Sequence, residues 1–276
     1  MVDSLPEYEV YALRYATRGG RRSEHFVGGD PHDSDMPMDY YTWIVRSAQR
    51  TFIVDTGFTE RIALQRKRQF LRCPADSLRL LGIDADRVSD VIITHLHYDH
   101  VGNFHRFPAA RFHVQEREMA FATGRYMQYP FFSHGYEVDE VVGVVRLLYA
   151  GRVELHEGSR ELAPGVILHP APGHTAGLQV VQVHTRRGWL VLASDSTHFF
   201  ENIRARRPFT VAFHLGHMFD SFRLVESLAA SPDHIIPGHD PLLMQLYDPP
   251  HEELRNIAVR LDEPPRTSAN IGGSSA

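Results

Sequence analysis

Short apolar runs separated by polar turns recur along the chain, and most of them suit a strand better than a helix. Residues 8–15 alternate apolar and polar side chains and predict a first strand. A polar stretch carrying Gly19, Gly20, Gly28 and Gly29 then predicts a long loop up to Asp39. Residues 40–45 and 51–54 follow as paired strands around a turn at Ser47. Residues 60–81 read as mostly helical, with Arg61, Arg66, Lys67, Arg68 and Arg72 on a solvated basic face. The β-branched run 90–93 predicts a buried strand, and further strands are expected at 110–114, 152–155, 166–169, 178–184, 189–193 and 234–236. Helices are expected at 115–122, 138–148 and 220–229, with another beginning at Val101.

The ends of these strands carry the polar residues that matter. The run 90–93 feeds Thr94-His95-Leu96-His97-Tyr98-Asp99-His100, which crowds three imidazoles and a carboxylate into six positions. Imidazole and carboxylate suit zinc or a comparable first-row ion, so this loop predicts a metal site. A histidine loop follows a strand again at His174, between Gly173 and Gly177, and at His239 after Gly238. A carboxylate turn follows a strand pair at Asp55 and again at Asp195. Asp55 reads either as the partner that orients a ligand histidine or as a turn or helix-cap carboxylate. Two similar strand-and-helix halves facing each other would bring all these loop ends to one edge, which predicts an α/β fold built as a four-layered αββα sandwich.

With 276 residues and 43% hydrophobic composition, the chain is expected to form one domain over residues 1–262, followed by a mobile Pro-, Gly- and Ser-rich tail over 263–276. The net charge of −5 offers no positive field for nucleic acid or an anionic membrane. No apolar run approaches the roughly 18 residues of a membrane span. Pro6, Glu7 and Glu9 stand where a signal peptide would be apolar, and Cys73 is the sole cysteine, so a cytoplasmic protein is expected. Of the 18 histidines, most are assigned to ordinary surface or core positions, His214 and His217 among them. The aromatics Tyr126, Tyr129, Phe131, Phe132 and Tyr136 read either as a wall of a substrate pocket or as a satellite core.

The set His95-x-His97-x-Asp99-His100, His174, Asp195 and His239 resembles that of a metallo-β-lactamase superfamily hydrolase, over roughly residues 8–245. Within the superfamily the chain most resembles the N-acyl homoserine lactonase branch, on the long lead before the motif, the Val54-Asp55-Thr56-Gly57 turn and the aromatic insertion between His100 and His174. The resemblance implies the metallo-β-lactamase fold and two zinc ions, or other divalent first-row metals. It implies that His95, His97 and His174 hold one metal, that Asp99, His100 and His239 hold the second, and that Asp195 bridges them. In one respect the sequence departs from the lactonases: they place a tyrosine three residues after the bridging aspartate, and here that position is His198. His198 is then either a substituted donor to the substrate carbonyl oxygen or a pocket-wall residue.

The implied function is quorum-quenching or catabolic lactone hydrolysis, in which a metal-bridging hydroxide attacks the carbonyl of a lactone or related cyclic ester. Asp99 is expected to pass the proton to the leaving group. The alternatives are a glyoxalase II-like thioesterase with the same ligand set and a mononuclear iron enzyme of the persulfide dioxygenase kind. The expected partner is a small lactone or ester, with no nucleic acid and no membrane, and assembly as a homodimer is left open.

Overall fold

Alternation along the first strand sorts its side chains into two different cores. Tyr11, Leu13 and Tyr15 face one side and Val10 and Ala12 the other, all buried. The computed structural model describes residues 5–266. Its first sheet takes β1 (Glu9–Arg18), β2 (Met38–Arg46), β3 (Thr51–Val54), β4 (Gln69–Phe70), β5 (Asp90–Ile92), β6 (Arg111–Gln115) and β7 (Val153–His156). The second takes β8 (Arg160–Ala163), β9 (Val166–Pro170), β10 (Gln179–Thr185), β11 (Gly188–Ser194) and β12 (Ile235–Pro237). Finally β13 (Ala258–Arg260) returns to the first sheet beside β1. The strand orders are β13-β1-β2-β3-β5-β6-β7, with β4 also on β1, and β12-β11-β10-β9-β8.

Three apolar cores separate four layers. Between the sheets, Val10, Trp43, Val54 and Ile92 meet Val181, Leu190, Leu192 and Ile236. On the outer face of the first sheet, Leu13, Ile53 and Val91 pack against the helices that carry Ile62, Met119 and Val144. On the outer face of the second, Val180 and Val191 pack against Met218, Phe222 and Val225 of the helix Leu215–Leu228. This is the predicted αββα sandwich. Strands β3, β5 and β6 run parallel, as do β11 and β12, so their C-terminal ends share one edge. Among the described residues no helix is long and apolar enough to cross a membrane.

The long helix expected over 60–81 is broken. It runs only as Glu60–Gln65, because Lys67 takes a left-handed backbone (φ 55) and residues 69–70 pair with β1 instead. Pro74 then opens a separate short helix, Pro74–Ser77. The helix expected from Val101 begins earlier, as Tyr98–Val101, inside the histidine loop itself. Most of the tail expected over 263–276 lies outside the described residues. Within its described part Arg266 is fastened: its N donates to Leu246 O at 2.7 Å and its guanidinium pairs with Asp248.

Candidate metal centre

Each strand that ends on this edge delivers one loop. Asp55 follows β3, the loop 94–100 follows β5, His174 follows β9, Asp195 follows β11 and His239 follows β12. The chain turns sharply at two of these ends, with Asp55 (φ 63) and Ser194 (φ 44) both left-handed, a conformation that costs energy for residues other than glycine. At Gly238 a Cβ would stand 2.7 Å from Asp195 Oδ1, so only glycine lets the His239 loop close on that carboxylate.

All seven residues proposed as ligands are buried and converge. His174 Nε2 lies 3.1 Å from His95 Nε2 and 2.9 Å from His97 Nδ1, and Asp195 Oδ2 lies 3.4 Å from the same His174 nitrogen. On the other side, Asp195 Oδ1 lies 3.0 Å from His239 Nε2 and 3.5 Å from His100 Nε2. Asp99 Oδ2 completes that group, 3.7 Å from His100 Nε2 and 3.6 Å from His239 Nε2. Asp195 therefore offers one oxygen to each trio of side chains.

Outward nitrogens fix how these rings are protonated. His174 Nδ1 donates to Val211 O (2.7 Å), His239 Nδ1 to Asp39 O (2.9 Å) and His100 Nδ1 to Asp55 Oδ2 (2.7 Å). Each leaves a lone pair on the inward nitrogen, the tautomer a metal ligand needs. Burial holds His95 and His97 well below the ordinary imidazole range and His174 at about 4, so these rings are neutral. Burial also opposes charge on His100, but Asp55, Asp195 and Asp99 override it and favour positive charge there. Two buried atoms at the centre, His100 Nε2 and Asp195 Oδ1, make no hydrogen bond at all. Lone pairs facing lone pairs, next to carboxylates that call for positive charge, fit two divalent cations.

Asp55 is here the orienting partner of His100, one of the candidate ligands. It also accepts from Thr94 N (2.7 Å) and Thr94 Oγ1 (2.8 Å), while Thr94 Oγ1 lies 2.8 Å from Ser194 Oγ. Glu118, on the helix Glu116–Ala122, was not singled out by its sequence. It is fully buried and accepts from Leu96 N (3.0 Å), Thr175 Oγ1 (2.6 Å), Gly177 N (3.2 Å) and Tyr136 OH (3.1 Å). One carboxylate thus ties the His95–His97 loop to the His174 loop. The one available signal was a glutamate in an otherwise half-apolar turn, EREMAFA. Gly135 was also missed: a Cβ there would meet the His97 ring at 2.6 Å.

His198 lies in the pocket wall, stacked on Phe209 (3.6 Å between centroids), with Nε2 3.0 Å from Asp195 Oδ2. Burial lowers it to about 4, so it is a neutral donor to that carboxylate. The aromatic stretch turns away from the site. Tyr126 and Phe132 pack with Phe121 and Phe213 in a satellite core, Tyr129 and Phe131 are exposed, and only Tyr136 reaches a ligand ring, His97, at 4.6 Å. His214 and His217 stack on each other at the start of the helix Leu215–Leu228, away from the ligands. The basic residues read as a solvated helix face are a correction. Arg66 and Arg68 lie beyond the helix end and line the pocket above the ligands.

Residues 36–239 match the family model of the metallo-beta-lactamase superfamily. The chain is 34% identical over 131 residues to the N-acyl homoserine lactonase AiiB of Agrobacterium fabrum, a stretch covering 46% of this chain and 47% of that one. It is 25% identical over 241 residues to the probable metallo-hydrolase Rv2300c of Mycobacterium tuberculosis, covering 74% and 75%. The chain thus matches about half the length of the lactonase and three quarters of the mycobacterial relative. In fold it is similar to a quorum-quenching N-acyl homoserine lactone lactonase, with a TM-score of 0.71 at 21% identity over 87% of this chain and 95% of that one.

Proposed function

The chain belongs to the metallo-β-lactamase superfamily, and from that premise we propose that it is a dinuclear zinc hydrolase that opens a lactone or related cyclic ester. The observation that carries this reading is the pair of orphaned atoms: His100 Nε2 and Asp195 Oδ1 are buried and unbonded at the meeting point of two donor groups. His95, His97 and His174 would hold one ion, Asp99, His100 and His239 the other, and Asp195 would touch both.

When bound, two divalent cations bring the pKa of water toward neutrality and polarise a carbonyl oxygen. The protein's own residues set the geometry around that chemistry. Asp195 keeps its two oxygens on opposite sides because His198 Nε2 holds Oδ2 while Oδ1 faces His239. Asp99 is held at its backbone by Tyr15, whose hydroxyl donates to Asp99 O at 2.8 Å, and its carboxylate lines the pocket. In the reaction a water oxygen bonds to the ring carbonyl carbon, the ring C–O bond breaks, and the alkoxide formed takes up the proton the water gives up. Asp99 is the group placed to carry that proton. His198, neutral and with its one N–H committed to Asp195 Oδ2, serves as a pocket-wall residue that orients that carboxylate. Lactonases among the relatives support the substrate class.

The test is zinc content together with turnover of a lactone panel by the wild type and Asp195→Ala. Two zinc ions and lactone turnover, both lost in Asp195→Ala, support the reading. Zinc binding without any lactone turnover would sink the substrate class while leaving a metallo-hydrolase.

A further inference from the structure

The pocket above the ligands is built for a negative charge. It is lined by three arginines, Arg18, Arg66 and Arg68, and by one carboxylate besides the ligands, Glu24 at the exposed rim. Arg66 is engaged by the protein: it pairs with Glu137 (2.8 Å), donates to His134 O (2.8 Å) and lies 3.9 Å over the Tyr98 ring. Arg68 is different. Its Nε donates to Tyr98 OH (3.1 Å) and its Nη1 to Arg66 O (2.9 Å), and among the described residues no carboxylate pairs with it. Tyr98 OH meets Tyr40 OH at 3.3 Å, and the Tyr40 ring stands edge-on to the ligand His239 at 5.2 Å. The Arg68 guanidinium is therefore held half-buried, two hydroxyls away from a ligand ring, with its charge unneutralised.

Arg18 enters from the end of β1. Its contacts are Gly19 O (3.2 Å) and the Met38 sulfur (3.0 Å), and its nearest carboxylate, Glu24, stays at 3.6 Å. Arg18 thus has a loose ion pair at the exposed rim, whereas Arg68 is a half-buried guanidinium without a matched anion, an unfavourable arrangement unless a ligand completes it. The apolar side points the same way by what it lacks. The aromatics that would serve a long acyl chain are packed into the satellite core, and the open pocket is only about 120 Å³.

We propose that the preferred substrate is a compact lactone carrying a carboxylate, received by Arg68 and Arg18 while its ring carbonyl faces the ligand cluster. This rests on the lactonase reading above. A planar carboxylate matches the guanidinium fork and leaves the ring free to open; the substrate carboxylate takes no part in the chemistry. Arg68 and Arg18 are specificity residues, and they act on the ratio between charged and neutral substrates.

The experiment uses the zinc-loaded full chain and a matched pair, a five-membered lactone bearing a carboxylic acid and the methyl ester of the same compound. The acid is expected to have the higher kcat/KM, by about 10- to 100-fold, the size of a charge-assisted hydrogen-bond pair. Arg68→Gln should shrink that ratio about tenfold, and Arg68→Lys, which keeps the charge, should shrink it less. Ester turned over as well as acid, or an equal fall for both in Arg68→Gln, would overturn the proposal. If neither lactone is turned over, the lactonase reading fails instead. Calorimetric binding of glutarate then decides this proposal: binding weakened by Arg68→Gln keeps the anion site, and unaltered or absent binding removes it.

Discussion

Among the described residues two regions gather histidine and carboxylate, and they satisfy their protons differently. At the loop edge, His174 Nε2 lies 2.9 Å from His97 Nδ1 and 3.1 Å from His95 Nε2, and His174, His239 and His100 turn their other ring nitrogens outward onto Val211, Asp39 and Asp55. The other cluster lies between neighbouring strands β6 and β7, where His113, Glu154 and His156 also bring ligand atoms together. There His113 Nε2 donates to Asp90 Oδ1 (3.0 Å), which leaves His113 Nδ1 to accept from His156 Nε2 (3.1 Å). Donors and acceptors alternate, the two rings stack 12° from parallel, and Glu154 faces Arg111 at 3.4 Å. Protons alone satisfy the strand cluster. In the loop cluster two buried atoms, His100 Nε2 and Asp195 Oδ1, remain without a hydrogen bond. Proximity of ligand-type side chains is thus a weaker sign of metal than an account of where each proton sits.

The sharpest way to break this contrast is Asp195→Ala, which removes the oxygen shared by both trios. Activity should fall by about three orders of magnitude or more, with metal content falling beside it in elemental analysis. Glu118→Ala comes next. Stripping one acceptor from four donors should cost about 3 kcal/mol or more in urea unfolding and loosen both histidine loops, because buried donors are left unmet. Asp55→Asn acts on the metal through His100, which it orients, and through Thr94 beside His95, and chelator competition should show zinc affinity lower by about 10- to 100-fold.

The smallest effect belongs to the strand cluster. His156→Ala should leave metal content unaltered and cost about 1 kcal/mol. Its pH dependence carries a sign. Burial, then His113, lowers the His156 pKa from 6.5, so the unfolded chain binds the proton more readily. The stability this residue contributes is present above pH 6.5 and lost as pH falls below it. His156→Ala should therefore flatten the acid limb of the stability curve, and unfolding midpoints at pH 5 and pH 7.5 check this.

The loop cluster was largely legible in the sequence because its residues sit at strand ends. A strand end is marked by an apolar run stopping, so His95, His174, Asp195 and His239 could be found without knowing which strands are neighbours. Glu118 was illegible for the opposite reason: its partners at Leu96, Tyr136, Thr175 and Gly177 come from three other stretches of chain, and nothing local marks it. Arg66 and Arg68 were misread because helical periodicity was extended past Gln65, where the left-handed Lys67 ends it and turns the next side chains over the pocket. For the aromatic stretch, composition could not decide between pocket wall and satellite core, since that depends on Phe121 and Phe213 from elsewhere. Short strands such as β8 and β13 escaped notice because three or four residues carry too little alternation to read.

The most direct test of the central claim is the zinc stoichiometry of the purified wild-type protein beside His156→Ala. The account predicts about two zinc ions per chain in both, all held by the loop cluster. One iron per chain, or no metal retained, would contradict the dinuclear centre, and a metal lost with His156 would contradict the distinction between the two clusters.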